Sequence, residues 1–172
     1  MGNNRNPNGA SNRKRNGKRK YHQGFYTIKN PEKYIGDVTK CIYRSKWELY
    51  FMTWCDNETS IKRWSSEFIT IPYQDEFGHF HRYFPDIYIE IIDKKNPLRF
   101  DQVVIEIKPF KETQMPKMPA NPTAKSMESF EYQLKTYQKN LYKWTKAQYW
   151  CEKNQMKFVL IHEYILQEKK IM

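Results

Sequence analysis

The strongest constraint on the fold lies in two strand-like runs and the spacing between them. Asp86-Ile87-Tyr88-Ile89-Glu90-Ile91-Ile92 alternates, and Gln102-Val103-Val104-Ile105-Glu106-Ile107-Lys108 is dense in β-branched residues, so both read as strands. Residues 93–98, Asp-Lys-Lys-Asn-Pro-Leu, have turn composition. In an antiparallel hairpin centred near Asn96, facing residues have numbers that sum to about 192, which sets Asp86 opposite Glu106. Facing residues share one side of a sheet, and Lys108 shares the side of Glu106 because strand side chains alternate. A one-residue slip would send Asp86 to the other side, so the reading depends on the turn.

Two carboxylates and an ammonium then meet at one end of an otherwise apolar hairpin. Paired carboxylates repel and resist burial unless a cation joins them. Mg²⁺, or Mn²⁺ in its place, suits such a pair, because it combines one or two carboxylates with water and substrate phosphate. The lysine would lie where negative charge develops on a phosphodiester. The spacing equally allows a salt-bridged pair of acids on a half-exposed hairpin.

Composition narrows the setting. The 172 residues, 39% apolar and 16% aromatic, suffice for one domain with a proper core. The net charge of +11 points to a polyanionic partner. Residues 1–20 supply seven of those charges with no acid and little to bury, which predicts a disordered basic arm ahead of a single domain over 21–172. In that arm Arg13, Lys14, Arg15, Lys18, Arg19 and Lys20 are candidate phosphate contacts, although a solubilising or targeting tail has the same composition. Cys41, Cys55 and Cys151 are odd in number and far apart, which suits a reducing compartment. No apolar run approaches membrane-spanning length and no secretory pattern opens the chain. A soluble intracellular protein, or one carried in a particle assembled inside a cell, is expected.

Along the chain, Ser45 is a fitting N-cap for a helix over 46–57, with Trp47, Tyr50, Phe51 and Trp54 as its apolar stripe and Glu48 at the border. Glu48 is either an ordinary first-turn glutamate or a residue aimed at the metal end. Residues 67–73 read as a strand, and 79–84 as a lead into the Asp86 strand. His79 and His81 would share a face, but without a cysteine or further histidine nearby a zinc site is not expected; Arg82 or His81 touching phosphate fits better. Prolines 116, 119 and 122 predict an extended loop. A helix over 125–153 follows, its stripe of Met127, Phe130, Leu134, Tyr137, Leu141, Trp144 and Cys151 covering the sheet, with Lys135, Lys139, Lys143 and Lys146 turned away. A strand over 157–162 and a short terminal helix close the chain.

The order helix, three strands, helix, strand, with Glu on the first helix, Pro-Asp on the second strand and Glu-x-Lys on the third, resembles the PD-(D/E)XK nuclease superfamily. Its restriction-endonuclease-like core is α/β, α-β-β-β-α-β, a mixed sheet flanked by helices, here spanning about residues 41–165. The phrases Tyr43-Arg44-Ser45-Lys46-Trp47-Glu48, Trp64-Ser65-Ser66-Glu67, Arg82-Tyr83-Phe84-Pro85-Asp86 and Ile105-Glu106-Ile107-Lys108-Pro109 are similar to the head-completion nucleases of large tailed bacteriophages, and more distantly to TnsA-like transposon endonucleases. The resemblance implies that Asp86, Glu106 and the Ile107 carbonyl hold the metal and that Lys108 serves the scissile phosphate. Glu48 would complete the metal shell, with Glu67 as substitute if Glu48 points away. It implies a Mg²⁺- or Mn²⁺-dependent nuclease acting on double-stranded DNA; Arg44, Arg82 and Lys111 are candidate DNA contacts. It also implies portal, neck or head components as partners, and the virion or the infected host's cytoplasm as location. Two alternatives stay open: a non-cutting DNA- or portal-binding assembly protein on the same scaffold, and a transposon endonuclease subunit.

Overall fold

A computed structural model describes residues 22–75 and 77–172, so the predicted basic arm lies outside the described residues. The elements in order are β1 (Gly24–Phe25), β2 (Ile42–Tyr43), α1 (Lys46–Asn57), β3 (Ile61–Ser66), β4 (Ile71–Gln74), β5 (Phe80–Tyr83), β6 (Ile87–Asp93), β7 (Asn96–Ile107), α2 (Ala124–Lys153), β8 (Lys157–Ile161) and α3 (Glu163–Glu168). The principal sheet has four strands in the order β3-β6-β7-β8, antiparallel except for the parallel pair β7/β8. It is a mixed sheet with α1 on one face and α2 on the other, in keeping with the expected α/β class.

Alternation along β6 and β7 sorts the two cores. Ile87, Ile89, Val103, Ile105 and Ile107 join Phe51, Met52 and Cys55 of α1 on one face. Tyr88 and Val104 join Trp144, Ala147 and Cys151 of α2 on the other. By the same parity Asp86 and Glu106 belong to the α2 face.

Helix α1 begins where the sequence predicts, with Ser45 Oγ accepting from the Glu48 N–H at 3.1 Å. Its buried stripe, however, is Glu48, Phe51, Met52 and Cys55, while Tyr50 is 40% exposed. Asp56, fully buried, anchors the preceding segment: its carboxylate accepts from Tyr26 Oη (3.0 Å), Lys29 N (2.8 Å) and Asn30 N (3.1 Å). Those contacts give structure to residues whose sequence has no periodicity.

The strand expected over 67–73 divides differently. Residues 61–66 form β3, an edge of the main sheet, and only 71–74 continue as β4. Between them Glu67 adopts a φ of 49°, a left-handed conformation that breaks any strand there. β4 pairs with β5 in a separate two-stranded hairpin, so residues 80–83 do not simply lead into β6. β3 escapes a reading based on apolarity because Lys62 and Arg63 look solvated. Instead the Lys62 ammonium lies 3.9 Å from the Phe100 ring centre, and Arg63 forms a double hydrogen bond to the buried Glu90 (2.9 and 2.7 Å).

Helix α2 matches its expected span, capped by Thr123 and Ser126. Its stripe covers the sheet only over its last third: Trp144, Ala147 and Cys151 are its buried residues, and Leu141 is 47% exposed. Among the described residues no helix is long and apolar enough to cross a membrane.

Candidate active site

The β6/β7 register runs from Ile87↔Ile105 to Ile92↔Phe100, every pair summing to 192. One step further back, Asp86 stands at the mouth of β6 opposite Glu106, behind the fully buried Pro85. The Asp86 Oδ2 accepts the Ile107 N–H at 2.7 Å, so Ile107 meets Asp86 through its amide rather than its carbonyl. Lys108 Nζ lies 3.0 Å from Glu106 Oε1, with the lysine side chain 28% exposed and the glutamate 3%. The Lys108 amide donates to the Ile161 carbonyl at 2.9 Å, which ties this end of β7 to β8. Glu48 comes from the opposite face, at the N-terminal turn of α1; it is buried, and its Oε2 accepts from the Arg44 N–H at 2.8 Å.

These charges act on one another. Burial, and then the charge of Glu106, push the Asp86 carboxyl from 3.8 up to about 7; Lys108 and the Ile107 N–H oppose the rise and Glu48 adds to it. Burial works against the Lys108 ammonium, but Glu106 and Asp86 outweigh it and the group is raised. Tyr83 Oη, buried beside Glu106, is pushed well above the ordinary phenol range, by burial first and by Glu106 second. The set of two strand carboxylates, a helix glutamate and a lysine therefore shares one electrostatic environment.

The remaining candidates divide. Arg82 is exposed on β5 and lines a cleft of about 440 Å³ with Glu106, Tyr83, Phe84 and Glu67. Arg44 is not free for phosphate: its guanidinium grips the Glu67 carboxylate with both amino groups. Glu67 is thus the partner of Arg44, and its backbone N–H donates to the Asp86 carbonyl at 3.0 Å. Lys111 lies in a different groove, with Gln114, Tyr132, Gln133 and Tyr137 on the N-terminal half of α2, away from Glu106. His79 and His81 both turn to Asp75 (3.3 and 2.8 Å). Arg13, Lys14, Arg15, Lys18, Arg19 and Lys20 lie outside the described residues. Lys139 and Lys143, expected to face away, line the cleft instead. Nothing local in the sequence distinguishes them from the other lysines of α2; the parity that turns Glu106 toward α2 does.

Among the described residues no group of three His, Cys, Asp or Glu side chains is arranged to hold a metal alone. Mg²⁺ does not need one, since it retains several waters and takes one or two carboxylates. The residues fit such an ion: Glu106 Oε2 is buried without a hydrogen-bond partner, and Asp86 is raised by a like charge that a divalent cation would offset.

Comparison with known proteins decides the family. The model of the TnsA-like endonuclease N-terminal domain matches residues 58–163. The chain belongs to this family of nucleases. The match takes in Asp86, Glu106 and Lys108 and excludes α1 with Glu48. The chain is also 38% identical over 143 residues to the head completion nuclease of Enterobacteria phage T4, covering 83% of this chain and 91% of that protein. No solved structure matches. Both resemblances expected from the sequence are thereby found, to the TnsA-like family and to a phage head-completion nuclease.

Proposed function

We propose that this chain is a divalent-metal-dependent deoxyribonuclease of the PD-(D/E)XK type, acting in phage head completion on the packaged DNA end before the neck and tail join. The observation that carries the reading is the junction of the buried Glu106 with the half-buried Asp86 and Lys108 at one end of β6 and β7, with the ammonium 3.0 Å from Glu106. With the β4–β5 hairpin set aside, the order α1, β3, β6, β7, α2, β8 supports the reading of a restriction-endonuclease-like core.

In this reading Asp86 and Glu106 hold Mg²⁺ or Mn²⁺, with the Ile107 carbonyl as a further ligand and Glu48 closing the shell. The ion would supply Lewis-acid polarisation of the phosphate and a more acidic water. Lys108, kept protonated by Glu106 and Asp86, meets the negative charge that builds on the phosphate oxygens during in-line attack. Arg82 receives the DNA backbone at the mouth of the cleft, and the basic arm adds sequence-blind attraction to double-stranded DNA. Portal, neck or head proteins are the partners such a role requires, in the virion or the infected cell. The 38% identity to a protein named for head completion supports this context.

Incubation with plasmid DNA in Mg²⁺, Mn²⁺ or EDTA tests the reading. Cleavage is expected with either metal and none with EDTA, and Asp86→Ala or Lys108→Ala is expected to abolish it with the fold intact. Full activity in either variant refutes the assignment.

A further inference from the structure

The α2 side of the cleft carries charge that no carboxylate among the described residues pairs with. Lys139 and Lys143 are four residues apart, so they stand on the same side of the helix, and both line the cleft together with Arg82. Like charges at that spacing repel. Among the described residues none of the three cations has a carboxylate within ion-pair distance, whereas Lys108 already pairs with Glu106. Lys143 is also half-buried, its Nζ 4.6 Å from the centre of the Tyr83 ring. Burial lowers the Lys143 ammonium, and Lys108 and Lys139 add to that despite Glu106 and Asp86. A lysine placed in a desolvated position, facing other cations, gains most from an incoming anion.

We propose that Lys139 and Lys143 form, together with Arg82, a phosphate-binding subsite that grips the DNA backbone beside Glu106. The anion is a phosphodiester, because these cations line the same cleft as Glu106, whose neighbour Asp86 completes the carboxylate pair. A strand lying along that cleft brings its phosphates to the lysines and one of them over Asp86 and Glu106. This assignment rests on the nuclease reading and adds to it a second group of cations, supplied by a helix and separate from Lys108. Lys143 is the inner contact, steadied by the Tyr83 ring face, and Lys139 the outer.

The test is equilibrium binding of a fluorescently labelled duplex to the full chain in EDTA over a series of KCl concentrations, with cleavage in Mg²⁺ followed in parallel. Each phosphate contact contributes about 0.9 to the slope of log K against log salt. Lys139→Met and Lys143→Met are each expected to reduce the slope by about 0.9, which corresponds to roughly eightfold weaker binding at 0.1 M KCl. Lys143→Arg should restore the slope. Lys153→Met, at the far end of the same helix where its ammonium sits on Tyr149, should leave it unchanged. Thermal unfolding checks each fold, and the exposed Lys139 keeps the test open if Lys143→Met is destabilised. Wild-type slopes and affinities in both methionine variants, or an equal loss with Lys153→Met, overturn the subsite while leaving the nuclease reading in place. A wild-type protein that neither binds nor cuts duplex DNA with Mg²⁺ or Mn²⁺ overturns the nuclease reading, and the subsite with it.

Discussion

Replacing Asp86 by asparagine should make the metal-free protein more stable above neutral pH while removing its activity. The carboxyl titrates near 3.8 in an unfolded chain and about 7 in the fold. The folded state therefore holds the proton more tightly, and stability from this group is fully present below about pH 4 and declines as pH rises to about 7. At 1.36 kcal/mol per pH unit, the ionised carboxylate destabilises the fold at pH 8 by on the order of 4 kcal/mol. Asparagine keeps an oxygen for the Ile107 N–H and carries no charge toward Glu106. Between pH 5 and pH 8 the advantage of the variant over wild type should widen by about 3 kcal/mol, or roughly 5–10 °C in Tm for a domain of this size. The assay is thermal unfolding of both proteins in EDTA at pH 5, 6, 7 and 8, because titrating groups away from Asp86 cancel in the difference and the change reports the Asp86–Glu106–Lys108 set. Saturating Mn²⁺ should raise the Tm of wild type at pH 8 and leave the variant where it was. A gap that does not widen with pH, or a variant less stable than wild type at pH 8 in EDTA, refutes the idea that Asp86 is held at a like-charged, buried junction.

Three further outcomes follow from named contacts. Lys108→Met should reduce cleavage by at least about 10²-fold while duplex binding in EDTA changes less than tenfold, if the lysine has the proposed role of meeting charge that develops only during reaction; a matching loss in both would make it a binding residue. Arg63→Met leaves the buried Glu90 without its double hydrogen bond and should destabilise the protein by about 3–5 kcal/mol in urea unfolding; a change under 1 kcal/mol contradicts that. Asp56→Ala removes the acceptor for three donors from residues 26–30 and should cost about 2–5 kcal/mol, with protease sensitivity rising in that segment first.

The hairpin was legible because alternation and distance along the chain determine it almost alone. The sequence places its turn at 93–98, while β7 starts at Asn96. The register holds because an irregularity between Ile92 and Asp93 takes up the difference. The ends of α1 were legible from Ser45, but its buried stripe was not: a search for apolar residues finds Trp47, Tyr50, Phe51 and Trp54, and misses that Glu48 occupies an i, i+3, i+4, i+7 position with Phe51, Met52 and Cys55. A buried charge on such a stripe is a signal in itself. β3 was hidden by Lys62 and Arg63, whose partners Phe100 and Glu90 lie on other strands. Arg44 looked available for DNA because its neutralising partner, Glu67, is distant in sequence. Lys139 and Lys143 had no local signature at all, since only the packing of α2 against the Glu106 face brings them to the cleft.

Glu90 and Glu106 allow a comparison within one sheet. Both are buried, and both have even numbers on β6 and β7, so both point toward the α2 face. Glu90 accepts two hydrogen bonds from Arg63 and one from Tyr88 Oη at 3.2 Å, so each of its oxygens is served. Glu106 has one ammonium at Oε1, while Oε2 and the neighbouring Tyr83 Oη have no partner among the described residues. A fold able to neutralise the first carboxylate so fully was under no general constraint to leave the second half-satisfied. Nor does stability explain placing Asp86 opposite it, or setting Glu67 at a φ of 49° with its amide on the Asp86 carbonyl. Departures of this kind gather where a protein binds or reacts, because there the unmet groups are met by ligand. The half-satisfied Glu106 beside Asp86 and the cleft lysines of α2, which have no ion-pair partner among the described residues, have opposite signs, so one anion could not serve both. A divalent cation and a phosphodiester together would, and that pairing is what the proposed metal-dependent nuclease requires.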